Sequence, residues 1–306
     1  MQKRCGKDQK SVHTLTIMEE IELERRASSH DTEPEVLEEL SRSISWRVRR
    51  AVGWNPSTPV AVLKVLSRDR VQWVREAVAG NPKTPLDVLE ALARDPDGYV
   101  RSAVALNTAT PDSLLSELSE DEMVEFDATN ERLRYIVMEA VAKNPRTPEH
   151  DIIRLSASQS DDVRAAVASN PKVPVYITEK LSRDQSWLVR FRVARNPVTP
   201  PEVLGRLADD RITDVRVAVA ANVKSPPDSL ISLSKDRMIE VRCAVAENPS
   251  TPVEALEALA GHWSFLVREA VAKNRSTPIS IMKMLSSDPD PSVQKAAKER
   301  LRDRTA

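Results

Sequence analysis

Asn55-Pro56-Ser57-Thr58-Pro59-Val60-Ala61-Val62-Leu63-Lys64-Val65-Leu66 decides the fold, because the chain keeps returning to it. Asn81-Pro82-Lys83-Thr84-Pro85 is the next copy, and Asn107, Asn144, Asn170, Asn196, Asn222, Asn248 and Asn274 open further ones. Successive Asn spacings are 26 except between Asn107 and Asn144, where the spacing is 37. A fixed period of this size means stacked units, each burying its apolar face against the next, and not one wrapped core.

Within a unit the pattern predicts two helical segments. Thr58 before Pro59 is a helix start, with the hydroxyl expected to accept from an unpaired backbone amide and Pro giving up an N–H that had no partner. Acids three residues after the Thr or Ser (Glu35, Asp87, Glu202, Asp228, Glu254) have the spacing of a capping box. The first helix runs to about Arg68 with Val62, Leu63 and Leu66 on one face. A second runs from Trp73 to about Gly80 with Val74, Ala77 and Val78 buried, and Asn-Pro ends it. Two full helices with turns need more chain than one period provides, so one segment per unit is expected to be short and 3₁₀-like. Residues 29–54 form a worn first copy that has lost its Asn-Pro. Before it, Leu15, Ile17, Met18 and Ile21 predict a helix covering the apolar end of the stack.

The pattern Asn-Pro-x-Thr-Pro-x-x-x-Leu-x-x-Leu-x-x-Asp, then Val-Arg-x-Ala-Val-Ala, resembles the leucine-rich repeat variant family and, more distantly, HEAT repeats. The resemblance covers about residues 29–298. It implies an all-α solenoid of about ten 26-residue units, with α and 3₁₀ helices alternating in a right-handed superhelix, and here one 11-residue insertion. One type of family member holds an iron–sulfur centre in an N-terminal cysteine cluster. Only Cys5 stands in that region here, so no cofactor is carried over. The expected organisation is an N-terminal tail and capping helix over 1–28, the array over 29–298 (halves 29–143 and 144–298), and a tail over 299–306.

Composition bounds the function. Net charge is −1 with 30% charged residues, so no global field draws the chain to nucleic acid or anionic membrane. Two cysteines make neither a disulfide framework nor a four-ligand metal site, and a reducing cytoplasm is the plain reading. The N-terminal Lys and Arg precede no apolar run of signal-peptide length, and no stretch approaches a membrane span. His13, His30, His150 and His262 share no metal spacing and show no partner. With no phosphate loop or nucleophile motif either, an enzyme is not expected.

Three features stand out from the repeat. Arg49, Arg75, Arg101, Arg164, Arg190, Arg216, Arg242 and Arg268 share one position, with Asp69, Asp95, Asp184, Asp210 and Asp236 six residues before five of them. Such a row either binds phosphate or carboxylate ligands or pairs internally, to Asp or loop carbonyls of its own or the next unit. From Glu117 to Glu131 seven positions are acidic and none basic. Glu120, Asp121, Glu122, Glu125, Phe126 and Asp127 are the candidate contacts for a basic protein partner, against the alternative of a tolerated surface loop. Trp46, Trp73 and Tyr99 recur at nearly one place in successive units, as a peptide-binding edge or as lids on the local core. The leading expectation is therefore a non-catalytic scaffold for protein–protein interaction. The alternative is duplex DNA held along the Arg row, with Arg47, Arg50, Arg192 and Arg195 as its contacts.

Overall fold

The computed structural model describes residues 16–121 and 135–303. Among them are twenty-one α-helices and no strand. They divide into two compact units, one up to Val137 and one from Met138. In each unit, helices of seven or eight residues alternate with longer ones, mostly of nine. The longer helices stack side by side: Ile17–Ser28, Trp46–Trp54, Gln72–Gly80 and Gly98–Leu106 in the first unit. In the second the same row runs from Asp161–Ser169 through Trp187–Arg195, Thr213–Ala221, Ile239–Glu247 and Phe265–Lys273 to Pro291–Asp303.

The local chemistry explains this alternation. The short helix Val60–Leu66 buries Val62, Leu63 and Leu66, and Gln72–Gly80 buries Val74, Ala77, Val78 and Ala79. Small residues let the longer helices approach closely: a Cβ at Gly53 would sit 3.0 Å from that of Ala77. Burying one such Leu contributes about 2 kcal/mol, and the same few side chains recur in every unit. Asn81 leaves the helix in an extended conformation, φ −72° and ψ 128°, as the following Pro requires.

The Asn row ties neighbouring repeats together. Asn81 donates through Nδ2 to the carbonyls of Gly53 (2.7 Å) and Asn55 (2.9 Å) in the previous repeat. Its Oδ1 accepts from the Lys83 N–H at 2.9 Å. Asn55, Asn107, Asn170, Asn196, Asn222, Asn248 and Asn274 repeat the same Nδ2 bonds. A buried amide with both of these donors and its oxygen engaged leaves little polar surface unsatisfied.

Three local expectations are corrected. The shorter segments are α-helices of seven or eight residues, not 3₁₀ turns, because connections of only a few residues leave room for two α-helices in one repeat. The Thr before Pro is not a helix cap: Thr58 Oγ1 donates backwards to the Val52 carbonyl at 2.6 Å, closing the end of the preceding helix. Pro59 takes the cap position with no side-chain bond. A capping box does occur outside the repeats, between Thr16 and Glu19. The N-terminal helix Ile17–Ser28 packs on Trp46–Trp54 through a face that buries Ala27, while Ile17, Met18 and Ile21 point to solvent.

Candidate functional site

The Arg row forms an internal ladder. Arg75 donates from Nε and Nη2 to the two oxygens of Asp95 in the next repeat (2.6 and 2.8 Å). Its Nη1 reaches back to the carbonyl of Asp69 at 2.9 Å. The same bidentate pairing joins Arg49 to Asp69, Arg101 to Asp121, Arg164 to Asp184, Arg190 to Asp210, Arg216 to Asp236 and Arg268 to Asp288. The Asp six residues earlier thus supplies its carbonyl, and its carboxylate serves the previous repeat. Burial alone would raise Asp69, Asp184, Asp210 and Asp236, but the Arg bonds, a backbone N–H and the Arg charge together hold them below the ordinary carboxylate value. This row is therefore not a track of free cations.

Asp121 belongs to that ladder. Its side chain is 6% exposed against Arg101, so it is a structural rung and not a presented acid. The clue was its position, one repeat period after Asp95. Glu120 is exposed at the end of the helix Asp112–Ser119. Glu122, Glu125, Phe126 and Asp127 lie outside the described residues.

The aromatic edge is assembled in part. Trp73 and Tyr99 pack with ring centroids 5.7 Å apart. Trp46 does not continue the stripe, because it precedes Trp73 by one position more than the repeat period and so falls out of register on its helix. It lies instead under the Arg47 guanidinium, 5.2 Å from its ring centroid. Arg47 is also held by Glu20 at 3.3 Å. In the second unit Arg192 and Arg195 lie over Phe191, at 5.8 and 5.7 Å from its ring centroid.

Beside Tyr99 lies a recess of about 310 Å³ whose walls include Trp54, Glu76, Gly80, Tyr99, Ser102 and Leu106. The longer helices of three consecutive repeats build it. Trp54 and Gly80 occupy the same position in successive repeats, and the Trp54 indole lies against the bare Gly80 backbone. A Cβ there would fall 2.4 Å from Trp54 Cη2. Glu76 contributes to the wall, and its Oε2 is buried with no hydrogen-bond partner. Burial pushes its carboxyl above the ordinary value, Arg50 opposes that without reaching ion-pair distance, and Asp97 adds to it. Arg50 Nε is likewise buried without a partner.

A buried carboxylate in a recess that also has an indole and a phenol in its walls has the chemistry to take a cation: the acid supplies charge and ring faces add cation–π attraction. A larger recess of about 610 Å³ near Glu22 and Arg26 lacks this, since its lining holds no buried polar atom without a partner. The sequence pattern marks Tyr99 and Trp73 as an aromatic edge and places Trp54 only beside the basic Arg47, Arg49 and Arg50, while Glu76 and Gly80 carry no mark of a site. A large residue followed by Gly at the same repeat position was the available signal.

Among the described residues no group of His, Cys, Asp and Glu could hold a metal ion. No helix there is long and apolar enough to cross a membrane.

Comparison with known proteins gives a family match at three of the repeats. Residues 73–97, 187–212 and 239–262 match the family model described as leucine rich repeat variant. Among solved structures, the chain is similar to a leucine-rich repeat variant with a novel repetitive structural motif, at 23% identity, covering 85% of this chain and 88% of that one, TM-score 0.45. It is also similar to an engineered protein (17% identity, 93% and 94% covered, TM-score 0.40). A designed armadillo repeat protein matches at 17% identity, 88% and 99% covered, TM-score 0.26. No curated protein matches the chain. The resemblance read from the Asn-Pro period is supported at these three repeats, and the described residues form α-helices packed repeat on repeat.

Proposed function

We propose that the protein is a non-catalytic scaffold that binds another protein, taking a basic side chain of an extended partner segment into the recess between Trp54 and Tyr99. The observation that carries this reading is Glu76, a buried carboxylate oxygen without a partner in an aromatic surrounding. Leaving it unpaired costs stability, and a lysine or arginine from outside restores the missing bond. The acidic run from Glu117 to Glu131, carrying Glu120, Glu122, Glu125 and Asp127 with Phe126 among them, supplies a negative field of the sign that attracts such a segment. Solenoids suit this task because stacking holds neighbouring side chains at a fixed repeat.

The DNA reading through the Arg row finds no support in the ladder, since seven of the eight guanidinium groups are paired to carboxylates.

The test is a titration with extended peptides carrying one central Lys, Arg or norleucine, read by Trp fluorescence. Cationic peptides should bind at least tenfold more tightly than norleucine, and E76Q should erase that preference. A preference that survives E76Q removes Glu76 as the anchor.

A further inference from the structure

The ladder has one rung that breaks its charge balance. Where a repeat lacks the acid it elsewhere lacks the arginine too. Leu23 and Ser43 stand at the Arg and Asp positions of one such pair, and Met138 and Ser158 at those of another. Gln294, at the Arg position after Arg268, still donates to the Asp288 carbonyl at 2.7 Å and carries no charge. A cation is therefore not needed to hold that carbonyl. Arg242 nevertheless remains a cation, although His262 occupies the position where its aspartate would be.

The geometry leaves that arginine short of acceptors. Arg242 Nε donates to the Asp236 carbonyl, and Nη1 meets His262 Nε2 at 2.5 Å. Its Nη2, which in the intact rungs meets the second carboxylate oxygen, has no partner. His262 Nδ1 accepts from the Ser264 N–H at 3.1 Å, as an Asp oxygen does in the other rungs. A neutral imidazole has a single lone pair on nitrogen, so with Nδ1 accepting, Nε2 carries the proton. Nε2–H and the guanidinium then face each other as two donors with no acceptor between them. An aspartate has enough lone pairs for all three N–H groups, and a histidine does not.

Surroundings favour an acid arriving from outside. Burial, then the Arg242 charge, holds His262 below its ordinary value, which favours the neutral imidazole. Arg242 is half-buried, so an anion can reach it from solvent. Beside the rung, Trp263 is 80% exposed, its ring 5.2 Å from that of His262, with Phe265 and Leu266 exposed nearby.

We propose that this interrupted rung is a binding site for a glutamate or aspartate side chain of a partner polypeptide, which completes the rung by bridging Arg242 and His262 while an adjoining apolar residue packs on Trp263. The site is independent of the Glu76 recess and has the opposite preference, acid instead of base.

The experiment titrates the full chain with an acetylated Leu-Glu-Leu amide, its Leu-Gln-Leu counterpart and inorganic phosphate, observed through the Trp263 and His262 ring resonances. The glutamate peptide should shift both rings and bind at least tenfold more tightly than the glutamine peptide or phosphate. H262D returns an internal carboxylate to the rung, so it should raise Tm and abolish peptide binding. R242M should also abolish binding while the chain stays folded, since Met138 occupies that position in another repeat. Absence of ring shifts, equal binding of the glutamine peptide, or full binding by H262D would overturn the proposal. Phosphate binding as tightly as the glutamate peptide would make this a small-anion site and contradict the partner reading.

Discussion

At the scale of single residues, Glu76 sets function against stability. Its folded pKa lies above its unfolded one, so the native state binds its proton more tightly and ionisation destabilises the fold. That penalty is absent below the unfolded value, near pH 4.3, and fully present above the raised folded value. E76Q is therefore expected to stabilise the protein by about 1 kcal/mol at pH 7, within the range for an unsatisfied polar group, and to change little at pH 3.5. Urea unfolding at the two pH values checks this, and an equal gain at both would contradict it. Gly80 offers a second residue-scale test. G80A favours the helix by up to about 1 kcal/mol but places a Cβ where the Trp54 ring now lies. Folding should survive because the indole can rotate away, and binding of a cationic peptide should fall at least fivefold because the wall of the recess moves. Unchanged affinity would show that Trp54 does not shape the site.

At the scale of elements, the stack depends on polar rows as much as on leucines. Asn196 holds the carbonyls of Ala168 and Asn170 and receives the Val198 N–H. N196A leaves those groups buried without a partner, and we expect a loss of about 2–4 kcal/mol, measured by chemical unfolding. T199V, which removes one bond to the Val193 carbonyl, should cost less, about 1–2 kcal/mol. Most of this architecture was legible beforehand: the period, the paired helices, the Asn bridges and the Arg–Asp ladder follow from residues that recur once per repeat. What did not follow has physical reasons. Thr before Pro reads as a cap by local rules, yet the hydroxyl finds a closer acceptor six residues back. Ile17, Met18 and Ile21 have helical spacing, but the buried face of their helix is the one carrying Ala27. Glu recurs at the Glu76 position as Glu139 and Glu269, but Trp54 and Gly80 are one-off side chains, and their meeting beside Glu76 is fixed by how adjacent helices pack, which a repeat pattern does not encode.

At the scale of the whole molecule, 45 basic and 46 acidic residues leave a net charge of −1, and seven of each sign are paired in the ladder. Asp69, Asp184, Asp210, Asp236 and Asp288 of the ladder have folded pKa values below their unfolded ones. Their contribution is fully present above the unfolded value, near 3.9, and is lost as pH falls through the depressed folded values. Several rungs titrating over one window should give a steep acid unfolding below about pH 4, followed by circular dichroism, with little change between pH 5 and 8. A gradual loss beginning near pH 6 would mean that the ladder does not govern acid stability. The proposed binding requires Glu76 to meet a partner's cation, and a double-mutant cycle tests that contact most directly. Wild type and E76Q are each titrated with a peptide carrying a central arginine and with its citrulline counterpart. A coupling energy of about 1–2 kcal/mol is expected, with the arginine preference confined to wild type. Additive effects, with arginine favoured equally by both proteins, would contradict it.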